Sequence, residues 1–380
     1  VASGLGGQIR SHRPVWQDPD VDRATVDIYE QQSDRYEAQR APTLLGAAEA
    51  LGARRLGPPA VDLGSGPGWY TAALGSPVVA LDAAQAMLER TRQVAPGCLP
   101  VQADLLALPF RRGSLGAGWG RNTYVHLRSV DVPLALADLH RSLVADAPVE
   151  LTFFGGHDEG REVFAHDDLP GRWFSTWTED RLRDVVAGAG FAIDDLERRE
   201  RRADEVSFTV RGRRARTLPD TVGPELRLLV CGLNPSEHAA DAGVGYVTPG
   251  NRFWPAAVAA GLVSRDRDPW HALREHRIGM TDLVKRATPR AAALTTEEYR
   301  AGVDRVDRLC GWLQPGALCV VGLAGWRAAV DRRATPGWQP ARLGGRPVYV
   351  MPSTSGLNAG TSLAALEGHL RVAAAPPPSL

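Results

Sequence analysis

A chain of 380 residues is long enough for two domains, and with 44% hydrophobic and 23% charged residues it can fill and solvate two cores, which argues against one compact domain. The formal net charge is zero but unevenly placed: residues 226–380 carry 18 basic against 12 acidic side chains, leaving −6 on the part before them, so the second half is the one suited to a polyanion. No run reaches the roughly 18 apolar residues of a membrane span, and the first fifteen residues lack a signal-peptide core, so no membrane partner and a cytoplasmic setting are expected.

Residues 1–21 are Gly-rich and polar and are expected to be poorly ordered. From Asp22 to Gly52 the spacing of Tyr29, Tyr36 and Leu44-Leu45 predicts two helices. Ala60-Val-Asp-Leu-Gly-Ser-Gly-Pro-Gly68 then joins a strand to a helix through alternating glycines, a turn that lets a ligand approach bare backbone amides. A second strand, Pro77 to Leu81, ends in Asp82, where a carboxylate can bind both ribose hydroxyls. A third apolar step, Leu99 to Ala103, ends in Asp104-Leu105.

This trio resembles the class I methyltransferases that use S-adenosylmethionine, over about residues 25–210. The resemblance implies a Rossmann-like α/β fold and assigns Asp62, Gly64, Gly66 and Gly68 to the first cofactor motif, Asp82 to the ribose and Asp104 with Leu105 to the adenine. The methyl acceptor stays unknown. Arg121-Asn-Thr-Tyr124 lacks the prolines of enzymes that methylate DNA amino groups, and Cys98 follows Gly97 in a connecting loop, unlike the nucleophile of carbon-5 methylation. Asn122, Tyr124 and His126 lie near the expected acceptor pocket, with His126 either a general base or an ordinary loop histidine. Cys98, Cys231, Cys310 and Cys319 have no close spacing, so neither a metal site nor a disulfide is expected.

Eight arginines between Arg198 and Arg216 flank Val206-Ser-Phe-Thr-Val210, a strand that closes the first domain (22–211). They suit either phosphates or a solvated strand edge. Pro219 and Gly223-Pro224 break any helix in the linker, 212–225. In the second domain, 226–373, an apolar strand ending at Cys231 meets the turn Gly232-Leu-Asn-Pro235. Pro235 biases Asn234 away from helical geometry and holds its amide at the carboxyl end of the strand. Alternating helices and strands follow, giving a three-layer α/β/α domain with a parallel sheet. Residues 374–380, with Pro376-Pro-Pro378, are expected to be a disordered tail.

Gly232-Leu-Asn-Pro, Gly243-x-x-Tyr246-x-x-Pro-Gly-Asn-Arg-Phe-Trp254, Gly279 to Thr288, and Met351-Pro-Ser-Thr-Ser-Gly-Leu-Asn-Ala-Gly360 resemble, in order, the motifs of the mismatch-specific uracil and thymine DNA glycosylases. The resemblance implies cleavage of the bond between base and deoxyribose in mismatched or uracil-containing DNA, without a metal. Asn234 would orient water, Leu233, Tyr246 and Ser353 would hold the base, Gly356-Leu357-Asn358 would wedge the duplex, and Lys285 and Arg286 would touch phosphates. Taken alone, Asn234 also suits an Asx turn, Tyr246 a core aromatic, and Lys285-Arg286 a solvated helix end. The expected whole is a bifunctional enzyme. The alternatives are a methyltransferase guided by a catalytically inactive nucleic-acid-binding module, or a nucleoside-processing pair in specialised metabolism.

Overall fold

The structure, a computed structural model, describes residues 22–200 and 205–375. The expectations for residues 1–21, for Arg201 and Arg202, and for the last five residues lie outside the described residues.

The first sheet begins with β1 (Ala60–Leu63), β2 (Val78–Asp82), β3 (Leu99–Gln102), β4 (Ala117–Gly120) and β5 (Pro148–Gly155), all parallel in the order β3-β2-β1-β4-β5. The short β6 (Glu159–Gly160) and β7 (Phe174–Trp177) extend beyond the end of β5. On its other edge β9 (Val206–Arg214) runs antiparallel to β5 and to the last strand, β8 (Phe191–Glu200). Three helices, not two, precede the sheet: α1 (Arg23–Gln31), α2 (Ser33–Ala38) and α3 (Leu45–Ala53). The crossovers are α4 (Trp69–Leu74), α5 (Gln85–Val94), α6 (Val132–Ser142) and α7 (Glu179–Gly188). Strand order reverses between β1 and β4, so their carboxyl ends part and leave a crevice for a ligand.

In the second sheet β10 (Leu228–Gly232), β11 (Ile278–Asp282), β12 (Leu318–Val321), β13 (Gly337–Leu343) and β14 (Arg346–Met351) lie in the order β11-β10-β12-β14-β13. All are parallel except β13, an antiparallel edge strand that the alternating pattern did not announce. The strands read as unbroken apolar runs because both faces are covered. Leu229, Cys231, Val320 and Val350 face α11 (Thr296–Leu313) and α12 (Leu323–Ala329), whereas Leu228, Val230, Cys319 and Met351 face α9 (Phe253–Ala259) and α13 (Leu363–Ala374). Helices α8 (Glu237–Ala242) and α10 (Pro269–His276) complete the domain. Among the described residues no helix is long and apolar enough to cross a membrane.

The stretch expected as a linker is held along its length. Strand β9 continues to Arg214, the Ala215 amide donates to the Gly190 carbonyl at 2.9 Å, and Thr221 and Met280 exchange backbone bonds of 2.9 Å. The domains also meet through Trp312, which packs edge-on against Trp177 at 6.1 Å under the Arg181 guanidinium, and through the Arg308–Asp184 ion pair at 2.6 Å.

Asp220 is the buried centre of this join. Its amide donates to the Gly188 carbonyl at 2.7 Å, and its carboxylate accepts from Thr281 (2.7 Å), Lys285 (2.8 Å) and Arg305 (2.8 Å). Burial pushes that carboxyl up, but Arg305 and Lys285 together hold it below the usual range. Its stabilising contribution is therefore present above the ordinary carboxylate pKa and is lost as pH falls through the lowered value. Replacing Asp220 with Ala strands two cations in the interior and is expected to cost about 3–5 kcal/mol. Denaturant unfolding at neutral pH checks this, and a loss below about 1 kcal/mol contradicts it.

Candidate functional site

At the carboxyl ends of β10 and β11 lies a cavity of ≈ 260 Å³ whose walls include Leu233, Asn234, Tyr246, Asp282 and Ser353. The base-site residues expected from sequence are thus brought together. Thr288 gives its own hydroxyl proton to the Arg290 carbonyl, so its oxygen can only accept from Asn234 Nδ2, at 2.8 Å. The same nitrogen reaches the carbonyls of Arg286 (3.0 Å) and Pro235 (3.1 Å). These acceptors fix the orientation of the amide, and Oδ1 is the end left for the cavity.

Tyr246 takes a left-handed backbone conformation, φ 60°, which aims the ring back across the strand ends. One face stacks on Phe253 at 4.2 Å with 22° between the planes, and the ring lines the cavity. Asn251 Oδ1 accepts from the Phe253 amide at 3.0 Å, and Phe253 and Trp254 are buried in the core. Leu233 turns its side chain toward Gly322 and Gly325 under α12, so it walls the cavity from below. Ser353 Oγ accepts from the Ser355 amide at 3.2 Å.

The loop after β14 is pinned from behind. Arg252 donates to the carbonyls of Asn358 (2.6 Å) and Thr361 (2.5 Å), and Asn358 points inward to the Ser353 carbonyl at 2.8 Å. Gly356 lies against Gly250, where a Cβ would stand 3.0 Å from a carbonyl oxygen. Of the expected wedge trio only Leu357 projects, an apolar side chain that is 97% exposed. Lys285 departs from expectation: its ammonium is engaged by Asp220, its side chain is mostly buried, and it offers no free cation to a phosphate. Arg286 is half exposed but forked onto Glu298 at 2.7 and 2.9 Å. The first domain reaches the same cavity through Arg112, which donates to the Asp241 carbonyl at 3.3 Å, and through His140.

A second cavity, ≈ 80 Å³, opens at the β1–β4 crevice between Gly64, Gly66, Asp82, Leu105, Tyr36 and His126. Gly64 and Gly66 have φ of 64° and 53°, and a Cβ on Gly64 would collide with the Thr123 hydroxyl. This bare-backbone cradle fits a nucleoside cofactor. Asp82 accepts from the Gly66 and Ala84 amides, each at 2.9 Å, which sets the carboxylate at the rim with lone pairs to offer; burial pushes its pKa up to about 6. Three expected ligands stand further back. Asp62 is buried and accepts from Thr71 at 2.6 Å, burial lifting it to about 7; Gly68 packs on Thr91, its absent Cβ 2.7 Å from that Cα; Asp104 closes a turn onto the Leu106 amide at 2.8 Å.

On the acceptor side, Tyr124 is fully buried against Phe153, away from the cavity. Asn122 reaches it, held by Thr152 at 2.7 and 2.9 Å. His126 Nδ1 donates to the Trp173 carbonyl at 2.7 Å, and Nε2 accepts from Tyr29 at 2.8 Å, whose oxygen accepts from Arg172 at 2.7 Å. Burial, with Arg172 beside it, pushes the imidazole down to about 3, so His126 braces Tyr29 as a neutral ring and is not a base. Sequence reading missed Thr288, Arg252 and Asp282. The last stood in view as a carboxylate at a strand end within the Gly279–Thr288 motif.

A family model described as a methyltransferase domain matches residues 60–146, and that of the uracil DNA glycosylase superfamily matches residues 219–372. Similar solved structures include a 1,6-didemethyltoxoflavin-N1-methyltransferase from Burkholderia thailandensis, 19% identical, covering 54% of this chain and 93% of its own with a TM-score of 0.41. An S-adenosylmethionine-dependent methyltransferase from Mesorhizobium loti is 22% identical, with coverage of 45% and 100% and a TM-score of 0.37. The chain carries a methyltransferase domain followed by a domain of the uracil DNA glycosylase superfamily.

Proposed function

We propose that the second domain hydrolyses the bond between a pyrimidine and its deoxyribose in mismatched DNA, and that the first moves a methyl group from S-adenosylmethionine to an acceptor of unassigned identity. The observation that carries the reading is that Asn234, its amide nitrogen tied to Thr288 and to two carbonyls, lines one cavity with Tyr246. Extruding a base costs a few kcal/mol, least where pairing is already poor, so G:U and G:T sites are favoured. Leu357, an exposed apolar side chain, would fill the gap in the stack.

Once the base lies on Tyr246, the bond to the sugar breaks with its electron pair going to the ring. Asn234 Oδ1 accepts from a water and aims it at the anomeric carbon, but a neutral amide cannot take the proton. The rate therefore leans on the leaving group, which suits uracil. In the first domain the Gly64–Gly66 cradle would hold the cofactor and Asp82 its ribose hydroxyls, while Tyr29, Tyr36 and Asn122 wall the acceptor side. The cofactor when bound supplies an electrophilic methyl group on a sulfonium.

Asn234→Ala is expected to slow release of uracil from a G:U duplex by roughly a hundredfold or more while duplex affinity is kept. Alkali-labile strand breaks measure it, and wild-type protein that binds the mismatch without releasing base contradicts the hydrolytic reading. For the first domain, the acceptor capacity of Asp82 is lost as it protonates, so affinity for S-adenosylmethionine is expected to fall as pH is lowered through about 6. Asp82→Asn should weaken binding about tenfold at pH 7 and flatten that profile. Calorimetric titration checks both, and a wild-type profile that is already flat contradicts the assignment.

A further inference from the structure

Asp282 closes β11 opposite Gly232 of β10, and its side chain lines the cavity that holds Asn234 and Tyr246. Among the described residues no hydrogen bond or ion pair engages its carboxylate. The neighbouring cations belong to Asp220: Lys285 and Arg305 each bond it at 2.8 Å, and Arg305 reaches only the backbone carbonyl of Asp282, also at 2.8 Å. A Cβ on Gly232 would collide with the Asp282 carboxylate and come within 3.1 Å of the Tyr246 hydroxyl, itself buried without a partner. A carboxyl is thus packed against the edge of the aromatic plate, facing the space a base would fill. The Tyr246 hydroxyl, a buried polar group without a partner, is costly unless a ligand completes it.

Building on the base-excision reading, we propose that Asp282 admits pyrimidines bearing a 4-amino group, cytosine among them, by giving its proton to ring N3 and accepting from the amino group. Acidic side chains are suited to the cytosine amino edge. Cytosine leaves poorly as an anion. When the N1–C1′ bond breaks with its electron pair moving into the ring, the proton from Asp282 makes the departing base neutral. Water adds to C1′ and releases a proton to solvent, and the carboxylate regains one. Burial lifts the Asp282 carboxyl to about 6, with Lys285 and Arg305 opposing and Asp220 assisting, so the acid form is accessible near neutrality. Tyr246 and Cys231, the other titratable groups facing it, stay neutral because burial pushes both upward. Against uracil the same acid donates to O4 and accepts from N3–H, so both bases fit, whereas an amide at this position could pair with cytosine but not protonate it.

The test uses the full chain in single turnover on two duplexes that differ by one base, a G:U pair and an A:C mismatch. Wild type is expected to release both bases, with the cytosine rate rising as pH is lowered from about 8 to about 6. Asp282→Asn, its folding checked by thermal melting, should lower the cytosine rate at least tenfold relative to its uracil rate. Uracil release without cytosine release, a pH-independent cytosine rate, or a ratio that the variant leaves unchanged overturns the inference while base excision stands. Release of neither base by wild type overturns both.

Discussion

The orientation of one side-chain amide governs the second domain. Asn234 has its nitrogen tied to Thr288 and to two carbonyls, so its oxygen cannot rotate out of the cavity without breaking bonds on the far side. Everything nearby serves that placement. Pro235 stops the strand from running on as helix, Thr288 is buried with its own proton committed elsewhere, and the Tyr246 plate is backed by Phe253. The result is an amide held in one orientation, on a residue that cannot be titrated, beside an aromatic ring; in the proposed reaction it would accept from water while the ring receives the base.

The two domains are joined more tightly than a tandem arrangement requires. Asp220 bonds the carboxyl end of α7 through its amide while its carboxylate gathers side chains of β11, α11 and the loop between them. Trp312 belongs to the packing of both domains, and Arg112 caps the end of α8 from the methyltransferase side. Arg112 and His140 stand in the wall of the second domain's cavity, so a nucleic acid bound there, as proposed, would lie against the first domain as well. Were both halves to act on one substrate, that proximity would hold it at high local concentration for the second site.

Local features were legible in the sequence and long-range ones were not. The glycines at 64, 66 and 68, the apolar run into Cys231 and the Asn234-Pro235 turn state their own geometry, because backbone conformation and strand burial are written in neighbouring residues. Lys285 read as a surface cation since its partner, Asp220, is 65 positions away. Asp62 read as a ligand because nothing local shows that Thr71 takes its oxygen. The role of Arg252 depends on a loop more than 100 residues on, and β13 pairs antiparallel where the helix–strand rhythm suggested only parallel neighbours.

The most direct test of the central claim is a crystal structure of the full chain with a duplex carrying 2′-fluoro-deoxyuridine opposite guanine, which resists cleavage. The uracil is expected on the face of Tyr246 away from Phe253, with a water between Asn234 Oδ1 and the anomeric carbon. A base that stays stacked in the duplex, or an Asn234 amide turned with its nitrogen toward the sugar, would contradict the account.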